Sequence, residues 1–175
     1  MNLSKPQRGV ATGMAVGIAA TAVALSLAPQ LLVPSTTLQN RLEVFVLSVL
    51  LPAITLAFCV ARLAAHRFHT PEDLGGSGLS RGTEKARLLQ AVLQNTLEQL
   101  ALAVPVYVAW ALLAPAELAG GCVVASMLFL LGRALFFVGY AGGAPKRALG
   151  FALTFYPTVA LLIGSLAFAA RRIVS

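Results

Sequence analysis

The chain reads as an all-α integral membrane protein with five transmembrane helices, four in a bundle and one added at the N-terminus. Three observations predict this. Hydrophobic residues make up 58% of the 175 residues and charged residues only 11%, a composition of membrane chains rather than soluble domains. The apolar residues gather into five runs, each long enough for the roughly 20 helical residues that cross a hydrocarbon core. The net charge of +7 would suggest nucleic acid in a soluble protein. Here the basic residues sit mostly in short connections between the runs, so they read as topology signals and no nucleic-acid partner is expected. Cys59 and Cys122 lie inside apolar runs and are expected as packed thiols rather than a disulfide.

The first run, 9–33, follows a polar start with Lys5, Pro6 and Arg8. A basic start, an apolar region and Ser26-Leu27-Ala28 also fit a secretory signal, but the length of the run and Pro29 favour a retained anchor helix over 1–38. Gly9, Gly13 and Gly17, continued by Ala20, Ala24 and Ala28, form a small-residue stripe that lets another helix approach closely. A polar connection over 34–41 leads to the second run, 42–65, with a kink expected at Pro52 and with Arg62 and Arg67 marking its exit. The longest polar stretch is 66–90. His66, His69, Glu72 and Asp73 cluster there without metal-ligand spacing, so a solvated interfacial loop is expected and no metal site. Gly75-Gly76-Ser77-Gly78 is linker chemistry; no Gly-Lys-Ser/Thr follows to make a phosphate loop.

Thr83 is placed to cap a helix over 84–113, bent at Pro105, with Tyr107 and Trp110 near its far end as membrane-interface residues. A tight turn over 115–121 leads to the fourth run, 122–140, which carries Arg133. Ala141-Gly142-Gly143-Ala144-Pro145 then turns the chain into the last run, 146–172, with Pro157 inside it. Lys5, Arg8, Arg62, Arg67, Arg81, Lys85, Arg87, Lys146 and Arg147 fall on one side of this arrangement. Arg41, Arg171 and Arg172 fall on the other. Nine against three places the N-terminus and the 66–87 loop in the cytoplasm.

Chemistry is expected around Gln94-Asn95-Thr96-Leu97-Glu98. A carboxylate inside a lipid-length helix is costly and by default functional. Asn95 and Glu98 are three residues apart, about one turn, and are expected to project within a narrow sector with Arg87 and Ala91. On the fourth run Arg133, Phe136, Phe137 and Tyr140 share a face. The short turn between the two runs predicts antiparallel neighbours. Glu98 lies 14 residues from Leu112 and Arg133 lies 14 from Ala119, about 20 Å along each helix from the turn at a rise of ~1.5 Å per residue, so a Glu98–Arg133 pair is expected. Arg147, in the first turn of the last helix, joins a helix N-terminus with free N–H groups. That combination stabilises a thiolate or carboxylate.

Asn95-x-x-Glu98, followed by Gly132-Arg133-x-x-Phe136-x-x-Gly139-Tyr140 and then Arg147, resembles the MAPEG family, the membrane-associated proteins of eicosanoid and glutathione metabolism. The resemblance covers about 42–170 and leaves the first run outside, so a divergent member with an extra N-terminal span is expected, its MAPEG-like domain at 39–175. It implies a four-helix protomer, a homotrimer, and glutathione as co-substrate between neighbouring subunits. By that resemblance Asn95, Glu98, Arg133 and Tyr140 hold glutathione, and Arg147 activates its thiol. The sequence departs from the family at Ala91, where an arginine is common, and at Phe136, where a hydrogen-bonding ring is common. Arg87, one turn before Ala91, is the candidate replacement.

The leading expectation is therefore a glutathione-dependent transferase or peroxidase acting on lipophilic electrophiles that arrive from the lipid bilayer, in a multi-pass protein of the bacterial inner membrane. The alternative is a non-catalytic scaffold that keeps the fold and binds a lipid or protein through the glycine stripe. A transporter using Glu98 and Arg133 lacks the broken inverted repeats such proteins show.

Overall fold

The computed structural model describes residues 3–31, 36–76 and 82–174, the side chain of residue 31 excepted. The end of the 9–33 run, the start of the 34–41 connection, and Ser77, Gly78 and Arg81 lie outside them. Five helices account for nearly all of it: α1 (Lys5–Leu31), α2 (Leu38–His69), α3 (Glu84–Leu113), α4 (Gly121–Gly139) and α5 (Ala144–Val174). Each includes a stretch long and apolar enough to cross a membrane, so this is a multi-pass integral membrane protein. The helices run on through Pro29, Pro52, Pro105 and Pro157. Just past one of these prolines, Thr55 donates its hydroxyl back to the Pro52 carbonyl at 2.7 Å.

Four helices form a ring in the order α2, α3, α5, α4, each packed on its two neighbours. The turn between α3 and α4 predicts that these two lie side by side, but they stand diagonally and touch only sparingly. The connection contains a 3-10 turn, Ala116–Leu118, long enough to carry the chain across the end of the ring. Between the diagonal helices the interior is filled by Ala103, Val106, Tyr107, Cys122, Phe129 and Leu161, all nearly inaccessible. Tyr107 is thus a core residue rather than one of an interface belt, its ring fully buried. Cys59 and Cys122 are free, buried thiols.

Helix α1 lies outside the ring, mainly against α5. The glycine stripe makes that contact. A Cβ added at Gly9 would come 2.8 Å from the Cβ of Pro145, and one added at Gly13 would come 2.9 Å from the Cβ of Ala148. Gly17 meets Ala152 in the same way. These contacts close the stripe within one chain, so it is not the open docking face that the scaffold alternative requires.

The ends of α3 are held differently. At its start Thr83 is the N-cap, accepting from the Ala86 N–H at 3.2 Å. Its own N–H and hydroxyl donate to the two oxygens of Asp73 at 2.7 and 2.6 Å, and His66 Nε2 lies 3.1 Å from the same carboxylate. Asp73 is therefore buried, not part of a solvated loop, and with His66 it ties the end of α2 to the start of α3. His69 stands apart, edge-on to Phe68, and Glu72 is exposed. The Thr83 hydroxyl bond holds the Asp73 carboxyl below the ordinary aspartate range; burial opposes the shift, and the Thr83 N–H and His66 reinforce it.

At the far end, the last carbonyls of α3 have no partner within the helix. Arg41 donates to the carbonyls of Ala111 at 2.9 Å and Ala114 at 2.8 Å. Arg172 donates to those of Leu112 and Leu113 at 3.2 and 3.3 Å. Trp110 donates to the Leu118 carbonyl at 2.8 Å, pinning the turn. Two of the three basic residues on the sparse side of the molecule thus have local partners.

Candidate functional site

Close packing of α4 on α5 positions the site. A Cβ at Gly132 would come 2.8 Å from the Gly150 carbonyl oxygen, so only glycine lets the helices meet there. The next residue, Arg133, enters the middle of the ring and is completely buried. One guanidinium nitrogen donates to Asn95 Oδ1 on the diagonal helix α3 at 2.8 Å. Another donates to Thr154 Oγ1 on α5, also at 2.8 Å. A long side chain is what bridges diagonal helices, and Arg133 joins three of the four. Its Nε, buried as well, has no protein partner among the described residues.

The guanidinium of Arg133 lies over the Phe136 ring, 4.3 Å from its centroid. Phe136 meets Tyr140 edge to face, with centroids 5.2 Å apart. Arg147 stacks on Tyr140 at 4.5 Å. Two arginines and two aromatic rings thus form a continuous ladder from the bundle centre to the turn between α4 and α5. Cation–π contacts of this kind hold a guanidinium in place without using its N–H donors. The turn depends on Gly143, whose φ of 82° favours glycine.

Phe136, Tyr140 and Arg147 line a cavity of about 360 Å³ together with Asn95, Phe151 and two residues of α1, Val10 and Met14. That volume falls within the roughly 300–1,000 Å³ of small-molecule sites. Among the described residues nothing hydrogen-bonds or ion-pairs the Arg147 side chain, which is half-buried. The start of α5 offers fewer free N–H groups than its sequence suggests. Pro145 has none, and the N–H groups of Lys146 and Arg147 reach the Gly143 carbonyl at 3.2 and 3.4 Å. Anion affinity here therefore rests mainly on side chains.

Two predicted site residues stand elsewhere. Glu98 does not pair with Arg133; it is exposed on α3 and accepts from Gln94 Nε2 at 3.1 Å. Three residues advance a helix by about 300°, so Asn95 and Glu98 diverge by about 60°. With α3 diagonal to α4, that divergence turns Asn95 inward and Glu98 outward. Arg87 is exposed and does not line the cavity. Thr154, Phe151, Val10 and Met14 were missed. The first two carry a signal: Arg147, Phe151 and Thr154 are spaced four and three apart, one face of α5. Nothing in the sequence of α1 points to Val10 or Met14, because its partner helix is not encoded locally.

The sequence signature of the MAPEG family matches residues 40–167, which is α2 to α5 without α1. The chain belongs to the MAPEG family. This MAPEG family includes glutathione transferases and peroxidases and generally uses glutathione. No curated protein and no solved structure matches the chain. The MAPEG match covers every polar residue of the cavity and stops short of α1, which supplies Val10 and Met14.

Proposed function

We propose that the protein is a glutathione-dependent transferase or peroxidase for lipophilic electrophiles. One observation carries this reading: the cavity that holds Asn95, Tyr140 and Arg147 is backed by the Arg133–Phe136–Tyr140–Arg147 ladder. Glutathione is amphoteric, with carboxylates, an ammonium, a thiol and amide groups, and these residues supply cationic and polar partners for it. Arg147 stands at the cavity with its donors unspent and lowers the pKa of a neighbouring thiol. The proton leaves to solvent at the cavity mouth. The thiolate sulfur then forms a bond to the electrophilic carbon as the leaving group departs with its electron pair. Tyr140, fixed beneath Arg147, orients the guanidinium, and Asn95, held by Arg133, faces the peptide portion.

In this reading the working unit is a homotrimer and Glu98 meets a neighbouring copy. A carboxylate at bilayer depth is costly unless covered, and Glu98 with Gln94 is exposed on the outer face of α3. The N-terminus and the 66–87 loop lie in the cytoplasm. The basic asymmetry supports this, the more so because Arg41 and Arg172 are tied to α3.

A second reading, a non-catalytic scaffold, is favoured by the Asn95–Arg133–Thr154 clamp, which cross-links three helices with no ligand needed. Calorimetric titration of the detergent-solubilised protein with glutathione near neutral pH separates the two. Saturable binding that weakens in Arg147→Ala, with turnover falling further than affinity, supports the enzyme. A folded oligomer that takes up no glutathione would leave the scaffold.

A further inference from the structure

We propose that α1 is the specificity wall of the cavity, with Val10 and Met14 limiting the apolar group that a ligand carries while Arg147 and Asn95 hold its polar part. This rests on the glutathione reading above. The polar groups of the cavity, Asn95, Tyr140 and Arg147, come from α3 and from the turn and helix after α4. Helices α4 and α5 also bring Phe136, Ala144, Ala148 and Phe151; α1 contributes only the apolar Val10 and Met14. Each of these follows a seam glycine, Gly9 or Gly13. Those glycines rest on Pro145 and Ala148, which flank Arg147 in α5. The close approach of the two helices therefore fixes the backbones that carry Val10, Met14 and Arg147 relative to one another. Residues 10 and 14 lie one turn apart, about 6 Å along the helix, the length of a short alkyl or aryl substituent. Methionine at the second position is unbranched and adapts to apolar partners of different shape. Because α1 precedes the matched region, this wall is a feature of this chain rather than of the matched domain.

The test is a titration of the full chain in detergent with glutathione and with S-hexylglutathione. The expected result is that the hexyl derivative binds wild type about tenfold more tightly. Met14→Trp should remove that gain and leave glutathione affinity within about twofold. A gain that survives in Met14→Trp overturns the wall and leaves the glutathione reading intact. If wild type binds neither compound, the glutathione reading fails, and a second measurement still decides the wall. In a Cys59→Ala/Cys122→Ala background, Met14→Cys is treated with anionic sulfonatoethyl and cationic trimethylammonioethyl methanethiosulfonate. The anionic reagent should react about tenfold faster, and Arg147→Ala should abolish the preference. Equal rates before that substitution overturn the wall.

Discussion

The two ends of the bundle use arginine in opposite ways. Where α3 finishes, Arg41 and Arg172 give their donors to backbone carbonyls. Where α5 begins, Arg147 rests on a tyrosine ring and faces a cavity, with no hydrogen-bond partner among the described residues. A guanidinium has five N–H donors. Spent on helix carbonyls, they belong to the fold; left unspent beside a cavity, they are available to an anion. Arg133 stands between these cases, with two donors engaged and Nε unpartnered.

The largest expected effect separates the two ends directly. Arg147→Ala should lower turnover with a lipophilic electrophile about 10²-fold, the scale of losing one preorganised electrostatic group, while glutathione affinity falls less. Arg41→Ala should leave turnover per folded molecule unchanged. Steady-state kinetics on both variants checks this, and equal losses would erase the distinction.

The next effect sharpens the position of Arg133. Asn95→Leu strands half of a buried guanidinium and should cost about 2 kcal/mol, read as a lower unfolding midpoint in detergent. Arg133→Met removes the charge as well, so it should cost less than Asn95→Leu yet abolish glutathione binding. Wild-type binding in Arg133→Met would place Arg133 with the purely structural arginines.

At the other end, Arg41→Ala should cost about 1 kcal/mol by freeing two α3 carbonyls. Arg172→Ala, at an exposed position, should cost roughly 0.5 kcal/mol. The same unfolding measurement ranks them, and a reversed order would show that the terminal residues of α5 clamp α3 more strongly than their exposure implies.

The smallest effect concerns the staple at the start of α3. The folded-state pKa of Asp73 lies below its ordinary value. Its contribution is therefore fully present above that ordinary value, about pH 4, and is lost as pH falls further toward the folded-state value. The unfolding midpoint of wild type should stay flat down to about pH 4.5 and drop below about pH 4. Asp73→Asn should be less stable at neutral pH and show a shallower acid limb. Parallel curves would mean that Thr83 holds α3 without the carboxylate.

Local features were legible in the sequence because each depends on residues within a turn or two. The capping role of Thr83, the span 84–113, the close-packing character of Gly9, Gly13 and Gly17, and the buried state of both cysteines all emerged as read. The shared face of Arg133, Phe136 and Tyr140 became the ladder. What failed needed knowledge of neighbours. Position near a helix end suggests an interface for Tyr107, but the ring interior claims it. The polar segment around Asp73 suggests a solvated carboxylate, but Thr83 and His66 close over it. The glycine stripe announced close contact without saying with what.

By itself, then, the sequence determined five spans, the cap of α3 and the azimuth of each side chain on its own helix, since hydropathy and a period of 3.6 residues act along one segment. Tertiary structure alone decided that α3 and α4 stand diagonally. From that follow the Asn95–Arg133–Thr154 clamp in place of a Glu98–Arg133 pair, and the outward-facing Glu98. It also decided that α1 closes the cavity beside Arg147. The physical reason is that an azimuth fixes a direction, whereas a partner is fixed only by which helix stands in that direction and how closely the backbones approach.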